Sequence, residues 1–295
     1  SDGIFLNESQ VNKLLHIYNA KRAGQSPSTV RLHSPLRARA GQGKSRRLKN
    51  PYDAHIRKVL AILDVTSIKK KKFRVVLDSC NGAGSVITWG LLKKLGCSVT
   101  KLYADLKKPF PRNPEPLPEN VNDLCAKVKE TKADIGFAQD ADADRLAVVT
   151  DEGVAPGEEY TLAIAVEHEL SKSKPQTSNI LPAGRHGKIN PKQKVVTNLS
   201  TSMMIDDIAC KYGAKVIRTK IGEVNVAEAM VKHKAAIGGE GNGGVIYPKV
   251  GYCRDSLVGI GLILDAMASK DQRISDIIDG IPKYFIVKDK IRYSS

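Results

Sequence analysis

The chain has 295 residues, 41% apolar and 26% charged, with a mean hydropathy of −0.26; that supplies two compact cores and excludes wholesale disorder and fibrous repeats. No apolar run is long enough to span a membrane, and five dispersed cysteines without a CxxC pair exclude a disulfide scaffold or structural zinc site and fit a reducing, cytoplasmic setting. Forty-seven Lys and Arg against 31 Asp and Glu leave a formal net charge of +16, most of it in two acid-free stretches, 21–49 and 172–194. Neither stretch interleaves aromatics for base stacking, which argues against nucleic acid and for solvated loops or attraction of phosphorylated ligands.

Residues 7–20 place Val11, Leu14, Leu15, Ile17 and Tyr18 at helical spacing after the candidate caps Asn7 and Ser9. The aperiodic Gly, Ser, Pro and basic residues that follow read as a linker ending at Pro51. A helix is expected over Tyr52–Leu63, with the Lys69–Lys72 run as a solvated turn. Phe73–Leu77 is a buried-type strand that feeds Asp78–Gly84, then a helix over 85–95 and a strand over Ser98–Tyr103. A helix over 119–131 and strands at Asp134–Ala138 and Leu146–Thr150 complete the first unit.

The pattern then restarts. Helices are expected over Tyr160–Leu170, Thr201–Tyr212, Asn225–His233, Asp255–Ala268 and Ile274–Gly280. Strands are expected at Lys194–Thr197, Lys215–Ile217, Ala235–Ile237 and Gly244–Tyr247, with a polar loop over 171–193 and a closing strand over Lys283–Ile291. The fold class is therefore α/β: two consecutive α/β units, each a mixed sheet between helices, dividing near Val154–Gly157.

The strongest chemical signal is Asp140-Ala141-Asp142-Ala143-Asp144-Arg145, between two apolar strands. Three carboxylates at alternate positions of a turn converge as hard oxygen ligands for Mg²⁺ or Ca²⁺, and Arg145 offers a fork for a phosphate sharing the ion. An EF-hand loop does not fit, because Arg145 and Asp151 stand where it needs Gly and Glu. A second signal is Gly238-Gly239-Glu240-Gly241-Asn242-Gly243-Gly244 after a strand: glycines let the backbone approach a ligand while Glu240 and Asn242 reach for sugar hydroxyls. Asn81-Gly82-Ala83-Gly84 lacks the P-loop Lys-Ser/Thr and reads as tight packing rather than a phosphate cradle.

These motifs, taken in order with Asp-Ser-Cys-Asn-Gly-Ala-Gly (78–84), Arg-Asn-Pro-Glu-Pro-Leu-Pro-Glu-Asn (112–120), Gly-Glu-Glu-Tyr (157–160), Asn-Leu-Ser-Thr-Ser (198–202) and Thr-Lys-Ile-Gly-Glu-Val (219–224), resemble the α-D-phosphohexomutases. The likeness is to the phosphoglucosamine mutase and phosphomannomutase/phosphoglucomutase branch, over roughly residues 50–292. It implies a Mg²⁺-dependent intramolecular phosphotransferase that moves phosphate between the 1- and 6-positions of a hexose or hexosamine phosphate. It also implies Asp140, Asp142 and Asp144 as Mg²⁺ ligands, Arg145 as the group orienting the phosphoryl, and Glu240 and Asn242 against the sugar. Lys220 and Arg254 complete the expected substrate-binding set.

On that likeness, 1–50 is the tail of a first domain with a basic linker, 51–155 a metal-binding domain, and 156–295 a sugar-binding domain ending in a link toward a fourth. Asn242 and Gly244 stand where many members carry Ser and His. No Ser-His-Asn, the family's phosphoserine loop, and no Arg-x-Ser-Gly-Thr occurs, so the flanking domains are expected in the same or another chain. The competing readings are a non-catalytic fragment that binds metal and sugar phosphate, and a polyanion-binding protein.

Overall fold

The computed structural model describes residues 6, 8–22, 50–172 and 193–284. Most of the two basic stretches and nearly all of the closing strand expected at Lys283–Ile291 lie outside the described residues. A first helix, α1 (Glu8–Arg22), leaves Val11, Leu14 and Leu15 exposed.

The first unit runs α2 (Asp53–Leu60), α3 (Val65–Lys71), β1 (Arg74–Asp78), α4 (Gly84–Lys94), β2 (Ser98–Leu102), a 3₁₀ turn (Pro118–Asn120), α5 (Asn122–Thr131), β3 (Ile135–Gln139) and β4 (Leu146–Val149). The second runs α6 (Glu159–Ser171), β5 (Lys194–Asn198), α7 (Met204–Lys211), β6 (Lys215–Thr219), α8 (Glu223–His233), β7 (Ile237–Glu240), β8 (Gly244–Ile246), α9 (Ser256–Lys270) and α10 (Ile274–Asp279). Each unit builds a four-stranded sheet of the same plan, β2-β1-β3-β4 and β6-β5-β7-β8. Three strands of each are parallel, and the last pairs antiparallel through a tight hairpin. The two expected α/β units with mixed sheets are thus present.

One expectation fails. The Lys69–Lys72 run is not a solvated turn: Lys69, Lys70 and Lys71 form the last turn of α3, and Lys72 closes it in the left-handed conformation. Asp64 caps the other end, accepting from Ser67 N at 3.0 Å, while Ile68 is fully buried. Cations in a last turn complement the helix dipole, so the run stabilises this short helix while its side chains stay in water.

The period-two alternation of the strands splits the core. Val76, Ala138, Ala147 and Val149 face α5 with Leu124 and Val128, whereas Val75, Leu77, Ile135, Phe137, Leu146 and Val148 face the other way. The second sheet does likewise, with Val196 and Ile246 against Val226 and Met230 of α8. The inward faces of both sheets meet α6 and α9 in one continuous core, so these two helices are buried almost all round, as their apolar sequences require.

Charged groups in that layer are matched individually. Glu167 accepts from Lys211 (2.8 Å) and Lys270 (2.9 Å), and Glu169 from Tyr247 Oη (2.8 Å) and Lys249 (3.1 Å). His168 Nε2 meets Asp265 Oδ2 at 2.7 Å; Asp265 also accepts from Lys172 (3.1 Å) and from the Asp64 backbone at 3.3 Å, which ties the first unit to the second. Although burial opposes it, the contacts to His168 and Lys172 hold the Asp265 carboxyl below its ordinary range. Breaking a buried pair from one side strands the other partner, so Asp265→Ala should lose about 3–5 kcal/mol in urea unfolding. A loss below about 1 kcal/mol would show that this junction is not held by the pair.

Candidate functional site

The loops that carry chemistry all leave the carboxyl ends of the parallel strands, where open α/β sheets place their ligands. The two hairpin loops, 140–145 between β3 and β4 and 241–243 between β7 and β8, occupy the same position in their units and touch. Leu146 N donates to the Gly243 carbonyl at 3.1 Å. Gly243 sits at φ +88°, and a Cβ there would stand 2.3 Å from the Leu146 carbonyl oxygen. Only glycine lets these backbones meet.

In the first loop, Asp140 is buried, Asp144 half-buried and Asp142 exposed, and one oxygen of each lies within 4.8 Å of the others. Asp140 Oδ1 accepts from the backbone of Asp144 and of Arg145, both at 3.1 Å, and Ala143 takes φ +63° to close the turn. Ala143 O in turn accepts from Ser256 Oγ at 2.6 Å, fixing the loop on the first residue of α9. Burial, with Asp144 and Asp142 nearby, pushes the Asp140 carboxyl up to about 7, partly opposed by its backbone bond from Arg145. Two carboxylates at such a separation repel by roughly 3 kcal/mol at an effective dielectric of about 20. Such a loop could hold a cation.

Two buried atoms lack hydrogen-bond partners: Asp144 Oδ1, an acceptor that suits a cation, and Arg145 Nε, a donor that suits an anion. The three carboxylates fit a hard divalent ion, which needs oxygens about 2.0–2.6 Å away and takes water for the remainder. Arg145 Nη1 is held by Glu115 at 3.0 Å, leaving Nε turned toward Asp140 at 3.5 Å.

The Asn81–Gly84 loop packs against this hairpin, as expected. Ala83 N donates to Ala141 O at 2.8 Å, and a Cβ on Gly82 would stand 2.3 Å from that oxygen. Arg112, half-buried, donates to Asp78 Oδ2 (2.8 Å), the Gln139 carbonyl (2.9 Å) and the Pro114 carbonyl (3.0 Å), clamping the 103–117 excursion onto the strand ends. Its motif therefore serves to deliver Glu115 to Arg145.

In the second unit, Glu240 is buried at the end of β7. Its Oε1 accepts from Asn198 Nδ2 (2.7 Å) and Gly222 N (3.2 Å), and its Oε2 from Arg254 Nη1 (3.1 Å). Asn242 is half-buried in the hairpin, where its Oδ1 accepts from Gly244 N at 3.3 Å. Lys220 is exposed on the loop after β6. Arg254 lies between the hairpins, with Nη2 on Asp144 and Nη1 on Glu240. The structure thus gathers Asp140, Asp142, Asp144, Arg145, Glu240, Asn242 and Arg254 around the hairpin junction and leaves Lys220 at the rim.

Sequence reading missed several residues. Glu223, first residue of α8, accepts the Arg254 backbone N–H at 2.6 Å and its Nε at 3.3 Å; burial pushes its carboxyl above the ordinary range against the pull of Arg254. Asn198 and Thr201 brace Glu240 and the Gly241 amide. The signal for Glu223 was its place after Gly222, a glycine at φ +119° that ends a strand loop; nothing in its spacing pointed to Arg254.

Comparison with known proteins follows the same two units. The family model of phosphoglucomutase/phosphomannomutase α/β/α domain II matches residues 52–153, and that of domain III matches residues 161–285. A phosphoglucomutase/phosphomannomutase of Thermococcus kodakarensis is 38% identical over 229 residues, which is 77% of this chain and 46% of the relative. A phosphoglucosamine/phosphogalactosamine mutase of Sulfurisphaera tokodaii is 30% identical over 241 residues, 80% of this chain and 49% of the relative. The chain therefore spans about half the length of the curated relatives it matches. The crystal structure of a phosphoglucomutase/phosphomannomutase family protein from Burkholderia thailandensis shares the fold, with a TM-score of 0.72 at 23% identity over 92% of this chain and 52% of its own. No helix among the described residues is long and apolar enough to cross a membrane.

The Asp140 environment has a consequence for stability. Its folded carboxyl titrates near 7 against an ordinary 3.8, so its contribution is full below the lower value and is lost as pH rises through the upper one. The melting temperature of the metal-free chain should fall between about pH 4 and pH 7, and a divalent ion should restore it at the upper end. Asp140→Asn should flatten that fall. An equal slope in wild type and variant would remove Asp140 as its cause.

Proposed function

The chain belongs to the phosphoglucomutase/phosphomannomutase family, of which it carries domains II and III, and on that ground we propose that it supplies the metal-binding and sugar-recognising half of a Mg²⁺-dependent phosphohexomutase. The observation that carries this reading is the meeting of the two hairpins, where one guanidinium, Arg254, contacts both Asp144 of the acidic loop and Glu240 of the glycine-rich loop. A ligand with phosphate at one end and hydroxyls at the other matches a cation site and a carboxylate set side by side. The substrate class proposed is a hexose or hexosamine phosphate.

In this reading Asp140, Asp142 and Asp144 hold Mg²⁺, a hard ion suited to an all-oxygen set. When bound, the ion polarises phosphoryl oxygens and neutralises charge that develops during transfer. Arg145 orients the phosphoryl group: Glu115 fixes its outer nitrogen, and its buried Nε, ion-paired to Asp140 without a hydrogen bond, is left to donate to a phosphate oxygen. Glu240 accepts sugar hydroxyls through the lone pairs its three protein donors leave. Asn242 adds an amide at the same edge. Lys220, exposed at the rim, draws the anionic substrate in. The complete reaction moves phosphate between the 1- and 6-positions through a bisphosphorylated intermediate, and the flanking domains bring the phosphoserine.

Calorimetric titration with Mg²⁺ should show one site, weak without a phosphoserine oxygen, and Asp142→Ala should abolish it. Equal binding by wild type and variant would refute the assignment. With Mg²⁺ present, glucose 1-phosphate or glucosamine 1-phosphate should bind the wild-type chain about tenfold more tightly than Glu240→Gln, the expected loss when one charge-assisted acceptor goes. Unchanged sugar-phosphate affinity would make Glu240 a structural residue only.

A further inference from the structure

Arg254 precedes Asp255, the N-cap of α9, and its side chain is only 14% exposed. It meets three carboxylates from three elements. Its backbone N–H and Nε lie on Glu223 at 2.6 and 3.3 Å, its Nη1 on Glu240 at 3.1 Å, and its Nη2 on Asp144. The route of its stem is fixed by Gly244, where a Cβ would stand 2.3 Å from Arg254 Cδ. One positive charge thus serves three acids, each from a different nitrogen of the planar fork, a spread of donors that the single nitrogen of an ammonium group does not offer. Of the three, Asp144 alone belongs to the acidic triad; its other oxygen is buried without a hydrogen bond, 3.9 Å from Arg145 Nε.

We propose that Arg254, beside Arg145 a second cation at the acidic loop, is the element that couples it to the sugar loop. A divalent ion entering the triad competes with the guanidinium for Asp144; the fork, released there, closes on Glu240 and Glu223, and so sets the Glu240 carboxylate for the sugar hydroxyls. Coupling is reciprocal: a sugar that holds Glu240 and Arg254 together weakens the rival for Asp144 and tightens the metal. Arg254 is then a positioning residue acting through Asp144 and Glu240, and it need not touch the substrate. This inference rests on reading the triad as the metal site.

The test uses the full 295-residue chain, with thermal unfolding as the check on folding. Mg²⁺ affinity is measured by calorimetry, and amide hydrogen exchange over 238–247 is followed with and without Mg²⁺. In the wild type, Mg²⁺ should change exchange across this second hairpin as well as across 140–145; a response confined to 140–145 overturns the coupling without any variant. Arg254→Gln should bind Mg²⁺ more tightly, on the order of fivefold or more, because the competitor for Asp144 is gone. A merely structural arginine would do the reverse, since loosening the loop weakens the metal. Unchanged or weaker affinity in a folded Arg254→Gln overturns the proposal. Arg254→Lys keeps the charge without the fork and should lose the exchange response at 238–247; retention of that response also overturns it. If Asp142→Ala binds Mg²⁺ like the wild type, the metal reading itself fails, an outcome distinct from failed coupling.

Discussion

The site depends on one backbone contact, the hydrogen bond from Leu146 N to the Gly243 carbonyl. It joins the antiparallel hairpin of one sheet to that of the other, at the end where both sheets deliver their loops. The contact exists because Gly243 has no side chain and accepts a left-handed φ, so the Leu146 carbonyl can approach to a distance no Cβ would allow. From that junction Arg145 faces the first loop and Asn242 the second, each one residue away. A larger residue at 243 would have to separate the loops, and with them the carboxylates that Arg254 now spans.

Behind the junction lies a stiff support. α6 and α9 fill the space between the sheets, and the consecutive polar residues Glu167, His168 and Glu169 reach separate partners on different elements. Such buried polar contacts add little net stability over apolar packing, yet misplacing any of them leaves a charge without a counterpart. They therefore define how the helices sit more sharply than apolar contacts would. α9 carries that definition to the site: its cap Asp255, its first residue Ser256 on Ala143, and Arg254 just before it all belong to one turn of chain.

Much of this was legible in the sequence because it is local. Asp140, Asp142 and Asp144 advertise a cation site by charge crowding within six residues, and Gly241 and Gly243 announce a tight hairpin beside Glu240. The strands were legible from apolar runs such as Val75-Val76-Leu77, and the repeat of the α/β pattern gave two units. The Lys69–Lys72 run misled because a string of lysines looks like a turn when only Ile68 marks the buried side of a short helix. The bridging role of Arg254 was not legible, since its three partners lie 14, 31 and 110 residues away. Likewise nothing local to Glu167, His168 and Glu169 marks their partners; only the packed structure supplies Lys211, Asp265 and Tyr247.

The central claim is that the cation site of one unit lies against the glycine-rich loop of the other, and it is tested most directly by paramagnetic relaxation. Mn²⁺ titrated into the ¹⁵N-labelled chain should broaden the amides of 140–145 and of 241–244 together, at the same occupancy, with Asp142→Ala protecting both. Broadening confined to 140–145, or centred on residues away from either hairpin, would contradict the account.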